Sequence, residues 1–88
     1  MATDAQAETA YRKLGPYLAS VLGADILSSL DAGIADGEPY EALGWLLSSI
    51  NRPGVSVTKD LFLQARDCLS DEDKEEYGHL LRSQHVVA

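Results

Sequence analysis

Carboxylates are the residues of this chain best placed to do chemistry, and they come in two groups. Asp36, Glu38 and Glu41 fall within six positions, and Asp71, Glu72, Asp73, Glu75 and Glu76 fall within another six. Grouped carboxylates hold metal ions, work as acid–base pairs or attract basic protein surface. The second group is not a calcium loop. An EF-hand starting at Asp71 needs glycine at its sixth position and a bidentate glutamate at its twelfth, and this chain has Glu76 and Arg82 there. A helix start that uses acids against its positive end explains the run more simply.

Other reactive side chains point to no reaction either. His79 and His85 are six apart, and so do not share a helix face as a metal-binding pair four apart would. Cys68 is the single cysteine, which excludes an internal disulfide and a thiolate cluster. It falls on an apolar stripe and reads as a small core residue. Leu22-Gly23-Ala24-Asp25 is similar to the approach to the attachment serine of acyl carrier proteins, but the next residue is Ile26, which has no hydroxyl to accept phosphopantetheine. Ser28 and Ser29 lie further on, inside an expected helix. No Ser-His-Asp order, phosphate-cradling glycine loop or carboxylate pair with an assignable role is present, so the expectation is a protein that is not an enzyme and uses no cofactor and no metal.

The acidic groups then point to binding. Fourteen acidic side chains against seven basic ones give a formal charge of −7 on 88 residues. Such a field repels phosphates and anionic lipid, which argues against nucleic acid and membrane as partners, and it draws in basic protein surface. Tyr40 and Trp45 stand beside the first acidic group. Trp45 is about 100° round a helix from Leu46, so it either covers the edge of the core or serves as an aromatic anchor at an interface, where Trp and Tyr are enriched.

The elements that must position these residues are helices. Stripes at helical spacing recur along the chain: Ala7, Ala10, Tyr11 and Leu14; Tyr17, Leu18, Val21 and Leu22; Ile26, Leu27, Leu30 and Ile34; Leu43, Leu46, Leu47 and Ile50; Leu61, Phe62, Ala65, Cys68 and Leu69. Tyr77, Leu80 and Leu81 make a last, shorter face. Gly15-Pro16, Gly23, Asp36-Gly37-Glu38-Pro39 and Asn51-Arg52-Pro53-Gly54 separate the stripes. Asp25, Thr58 and Ser70 are the expected caps. The fold class is all-α, a compact bundle of four to five short helices in a single domain over 1–88. Any pairing is limited to an isolated bridge near Val55–Val57, and the tail 84–88, which has no period, is expected to fray. The expected core groups Leu43, Leu47 and Ile50 with Leu27, Leu30 and Leu61. The start of the chain has neither a basic nor an apolar run, and no stretch is long enough to span a membrane, so a cytoplasmic protein is expected.

Several of these residues carry a family resemblance. Ile26 to Leu30, the run Ala35-Asp36-Gly37-Glu38-Pro39-Tyr40-Glu41-Ala42-Leu43, then Leu46-Leu47 and the polar break before Val57 resemble the layout of Maf-type immunity proteins, small antidotes to polymorphic bacterial toxins. The likeness runs from Leu18 to Leu69. The chain differs from that layout at Pro39, at Asn51-Arg52-Pro53-Gly54 and through its first fifteen residues. The resemblance implies a protein with no chemistry of its own that binds and neutralises a cognate toxin domain. The charge fits independently, because an acidic surface can fill a groove built for phosphate. Asp36, Glu38, Tyr40, Glu41 and Trp45 form the expected partner-binding patch, and Asp71 to Glu76 is the reserve. The competing expectation is a small acidic regulatory or adaptor module that binds a basic host protein, and a degenerate carrier domain is a third.

Overall fold

The computed structural model describes residues 3–88. Helix α1, Asp4–Leu14, begins with a reciprocal cap: Thr3 Oγ1 accepts from the Gln6 N–H at 3.2 Å, and the Thr3 N–H donates to Gln6 Oε1 at 2.9 Å. Two donors that a helix start leaves open are thereby satisfied. Ala7, Ala10, Tyr11 and Leu14 form one stripe, and all four are buried. Pro16 lies in the first turn of a 3₁₀ segment, Gly15–Tyr17, where its missing N–H costs nothing. The second expected helix is therefore split between this turn and the four-residue α2, Ala19–Leu22.

Helix α3, Ala24–Ala35, starts at Gly23 rather than at the expected cap Asp25. Gly23 takes φ 85° and is at once the last cap of α2 and the first of α3. A positive φ reverses the chain within one residue, a conformation open to glycine and costly for most others. Asp25 moves into the first turn, where its charge still favours the positive helix end.

Helix α4, Pro39–Ser48, leads through a turn into strand β1, Val57–Thr58. Thr58 caps α5, Lys59–Arg66, by accepting from the Leu61 N–H. Ser70 caps α6, Asp71–Tyr77, by accepting from the Asp73 N–H. The chain then tightens into a 3₁₀ segment, Gly78–Arg82, and ends in β2, Val86–Val87. Six α-helices among the described residues, with one two-residue pairing as the only sheet, make the fold all-α.

Helix α1 packs on α4 and α5, α3 lies on α4, and α6 packs against α5. Leu43, Leu46, Leu47 and Ile50 are wholly enclosed, together with Leu14, Leu18, Val57 and Phe62. Leu30 joins them, but Leu27 and Leu61 are only partly buried. Leu27 borders a surface cleft shared with Tyr11, Pro16 and Asp31, while Phe62 and Ala65 take the inward face of α5.

The tail, where fraying is expected from its lack of period, makes a short pairing. Val86 and Val87 pair in parallel with Val57 and Thr58. The Val57 N–H donates to the His85 carbonyl at 2.8 Å, and His85 Nδ1 donates to the Val55 carbonyl at 2.9 Å. Backbone donors of a buried residue such as Val57 need a partner, and the tail supplies it. A two-residue ladder is too short to show a period of its own. No helix among the described residues is long and apolar enough to cross a membrane.

Candidate protein-binding site

The site is built on the hairpin of α3 and α4. Asp36 is the last cap of α3, and Gly37 follows at φ 84°. The Gly37 N–H donates to the Ile34 carbonyl at 3.1 Å and the Glu38 N–H to the Gly33 carbonyl at 2.9 Å. These are the two bonds of a Schellman motif, which uses up the open carbonyls at a helix end and needs a left-handed residue, here glycine. Pro39 then opens α4 at once, so the two helices fold back on each other with almost no loop.

A groove of about 450 Å³ runs between them. Ile26, Leu30 and Ala42 supply apolar surface, Ser29 and Gly33 line the α3 side, and Asp25, Glu38 and Glu41 bring in carboxylates. Gly33 puts no side chain into the groove, and a Cβ placed there would meet no atom within 4 Å. Trp45 completes the lining and stays 48% exposed, although the residues beside it, Leu46 and Leu47, are wholly buried. Its backbone is held from below, because the hydroxyls of Ser48 and Ser49 both donate to the Trp45 carbonyl at 2.9 Å. Trp45 also borders a second, shallower depression with Glu41, Gly44, Ser48 and Tyr77.

Of the five expected patch residues, the groove brings together Glu38, Glu41 and Trp45. Asp36 is exposed in the turn but does not line the groove. Tyr40 leaves the patch: it is partly buried against the core, and burial, then Asp4 and then Cys68, push its phenol pKa up. At 100° per residue Tyr40 stands about 200° from Glu38, whereas Glu38, Glu41, Ala42 and Trp45 share a stripe, so its absence was readable from the sequence. The α3 half of the groove was not anticipated. Asp25, Ile26, Ser29, Leu30 and Gly33 lie on one helical face, but no pattern says which other helix that face will meet. One further signal was available. Between Lys13 and Arg52 the chain has five acidic residues, Asp25, Asp31, Asp36, Glu38 and Glu41, and no Lys or Arg.

The reserve cluster has a different setting. Asp71, Glu72 and Asp73 occupy the first turn of α6, a helix with no buried residue. Arg66 Nε donates to the Lys74 carbonyl at 3.1 Å and ties this helix to α5. Only its last residue, Tyr77, reaches the Trp45 surface, and burial, then Glu76 and Asp73, raise that phenol's pKa. Cys68 is buried and its thiol donates to the Gln64 carbonyl. Burial foremost, then Asp67, pushes its pKa up, which holds it as the unreactive thiol. His79 and His85 each bond a carbonyl, of Glu76 and Val55 respectively. Among the described residues no three His, Cys, Asp or Glu side chains converge to hold a metal ion.

What the groove offers chemically is recognition: an apolar hollow, one exposed indole and carboxylates of a single sign. Comparison with protein-family models, with curated proteins and with solved structures finds no match to this chain.

Proposed function

We propose that this chain is an immunity protein that binds a cognate bacterial toxin domain through the α3–α4 face and neutralises it by covering the toxin's active site. It acts by binding alone, with no reaction and no cofactor of its own, in the cytoplasm of the cell that makes the toxin. The observation that carries this reading is Trp45, half exposed beside the wholly buried Leu46 and Leu47 and set among Asp25, Glu38 and Glu41. Large aromatics left open beside carboxylates of one sign suit a basic protein surface, with the ring as anchor and the charges guiding encounter. The likeness of Ala35–Leu43 to the Maf-type immunity layout supports the same reading.

The test is neutralisation. A toxin domain encoded beside this chain is expected to lose its activity at equimolar protein, and to bind with an association rate that falls steeply as salt is added. A co-encoded toxin domain that stays fully active in excess protein overturns the immunity role. Capture of a basic host protein that is no toxin, bound on the same face, would replace it with the adaptor reading.

A further inference from the structure

Resting on the basic-partner reading, we infer that the α3–α4 groove seats an amphipathic helix of that partner, with an apolar side chain against Leu30 and Lys or Arg towards the two acidic ends. The two walls are helices, so they offer no strand edge for an extended segment to pair with. An occupant must satisfy its own backbone donors and acceptors, and a helix laid in an apolar groove does so. From Asp25 to Gly33 the groove runs about 12 Å along α3, a little over two helical turns. Asp25 stands at one end, and Glu38, bonded through its N–H to the Gly33 carbonyl, stands at the other. Basic residues at i and i+7 of an occupant are about 10.5 Å apart along its axis, which matches that span. An apolar side chain at i+3 or i+4 then falls midway, opposite Ser29 and Leu30. A second copy of this chain is a poor occupant, since at −7 it would bring like charge to like.

The probe is a short synthetic helix with Arg at i and i+7 and Leu at i+3 and i+4, compared with a shuffled peptide of the same composition. Trp45 is the only tryptophan in the chain, so its emission reports directly on the groove. The patterned peptide is expected to bind saturably and shift that emission to the blue, and the shuffled one to bind about tenfold more weakly or worse. Gly33→Leu sets a bulky side chain on the groove wall without a clash at Cβ and improves helix propensity, so it is expected to fold normally and lose the patterned peptide by a similar factor. Ser29→Arg, on the exposed side of α3, is a second route to the same loss by charge. Equal affinity for the two peptides, an unmoved Trp45 emission, or wild-type affinity in both variants overturns the inference. The two readings fail separately. A co-encoded toxin domain that binds wild type and Gly33→Leu equally removes the groove and leaves the acidic face. Selective binding of the patterned peptide without neutralisation of that toxin keeps the groove and removes the immunity role.

Discussion

Helix α4 presents two faces whose residues alternate in the sequence and behave oppositely in the fold. On one, Leu43, Leu46 and Leu47 are wholly enclosed between α1, α3 and α5. On the other, Glu41 and Trp45 stand open to solvent beside the α3 groove. The first face holds the domain together and contributes nothing a partner could touch. The second contributes little to the core and carries the chain's most exposed large aromatic. If the proposed function holds, stability and binding belong to different sides of ten residues, and substitutions should separate them.

The largest effect is expected from the inner face. Leu47→Ala removes a wholly buried side chain, and such truncations cost about 2–5 kcal/mol through lost transfer energy and the cavity left behind. A domain of this size has roughly 5–15 kcal/mol in all, so the denaturation midpoint should fall sharply. A midpoint like that of wild type would break the comparison at its root.

Next comes the outer face, measured in binding. Trp45→Ala should speed dissociation of a bound basic partner and cost about 2 kcal/mol or more of affinity, as interface tryptophans do. Its cost to stability should be about 1 kcal/mol or less, because half the ring is already in water. Unchanged dissociation with the fold intact would move the anchor elsewhere, first towards Tyr77 and the acidic start of α6.

A mid-sized effect tests how α3, the other wall of the groove, is held. The Tyr11 hydroxyl donates to Asp31 Oδ1 at 2.7 Å, joining α1 to α3, and Arg12 lies 4.0 Å from the same oxygen. Tyr11→Phe should cost about 1 kcal/mol, because Asp31 is exposed and regains water. Burial, then the Asp31 hydrogen bond and charge, raise the Tyr11 pKa well above its ordinary 10.0. The folded state therefore favours the protonated phenol, so its contribution is intact below pH 10 and drains away as pH rises beyond it. Unfolding curves taken through that range should show a shallower alkaline loss in Tyr11→Phe than in wild type. Equal slopes would show that the other raised phenols, Tyr40 and Tyr77, carry the alkaline loss.

Legibility in the sequence followed the same division between the faces. Stripes bounded by glycine and proline marked the buried side well: the end of α1 at Gly15 and the caps Thr58 and Ser70 all stood in the pattern, because helical spacing and capping are local. The tail clasp was hidden, since Val86–Val87 pair with residues nearly thirty positions away through a ladder of two. The open side was half legible. Acids and Trp45 marked α4, but only tertiary packing could set Asp25, Ile26 and Gly33 opposite them. Tyr40 stands beside Glu41 in the sequence, but the helix turns the two apart and sets Tyr40 partly against the core.

The smallest expected change in stability belongs to the charges, and it gives the finest test of the division. Glu38 is the first cap of α4 and Glu41 lies in its first turn, where a negative charge gains about 0.3–1 kcal/mol from the helix end. Reversing both to lysine gives up that gain but also removes their mutual repulsion and part of the chain's acidic excess. The two contributions oppose, so the unfolding free energy should change by about 0.5 kcal/mol at most. Association should respond far more. Exposed charges guide encounter over about 8–10 Å at ordinary ionic strength, so the double variant should bind a basic partner more slowly and with a flatter dependence on salt, while its dissociation rate changes little. Slower association together with Trp45→Ala's faster dissociation would assign steering and anchoring to separate residues of one face. A double variant with wild-type association at low salt would mean that Asp25 or the acids of α6 do the steering, and that the outer face of α4 holds its partner through the indole alone.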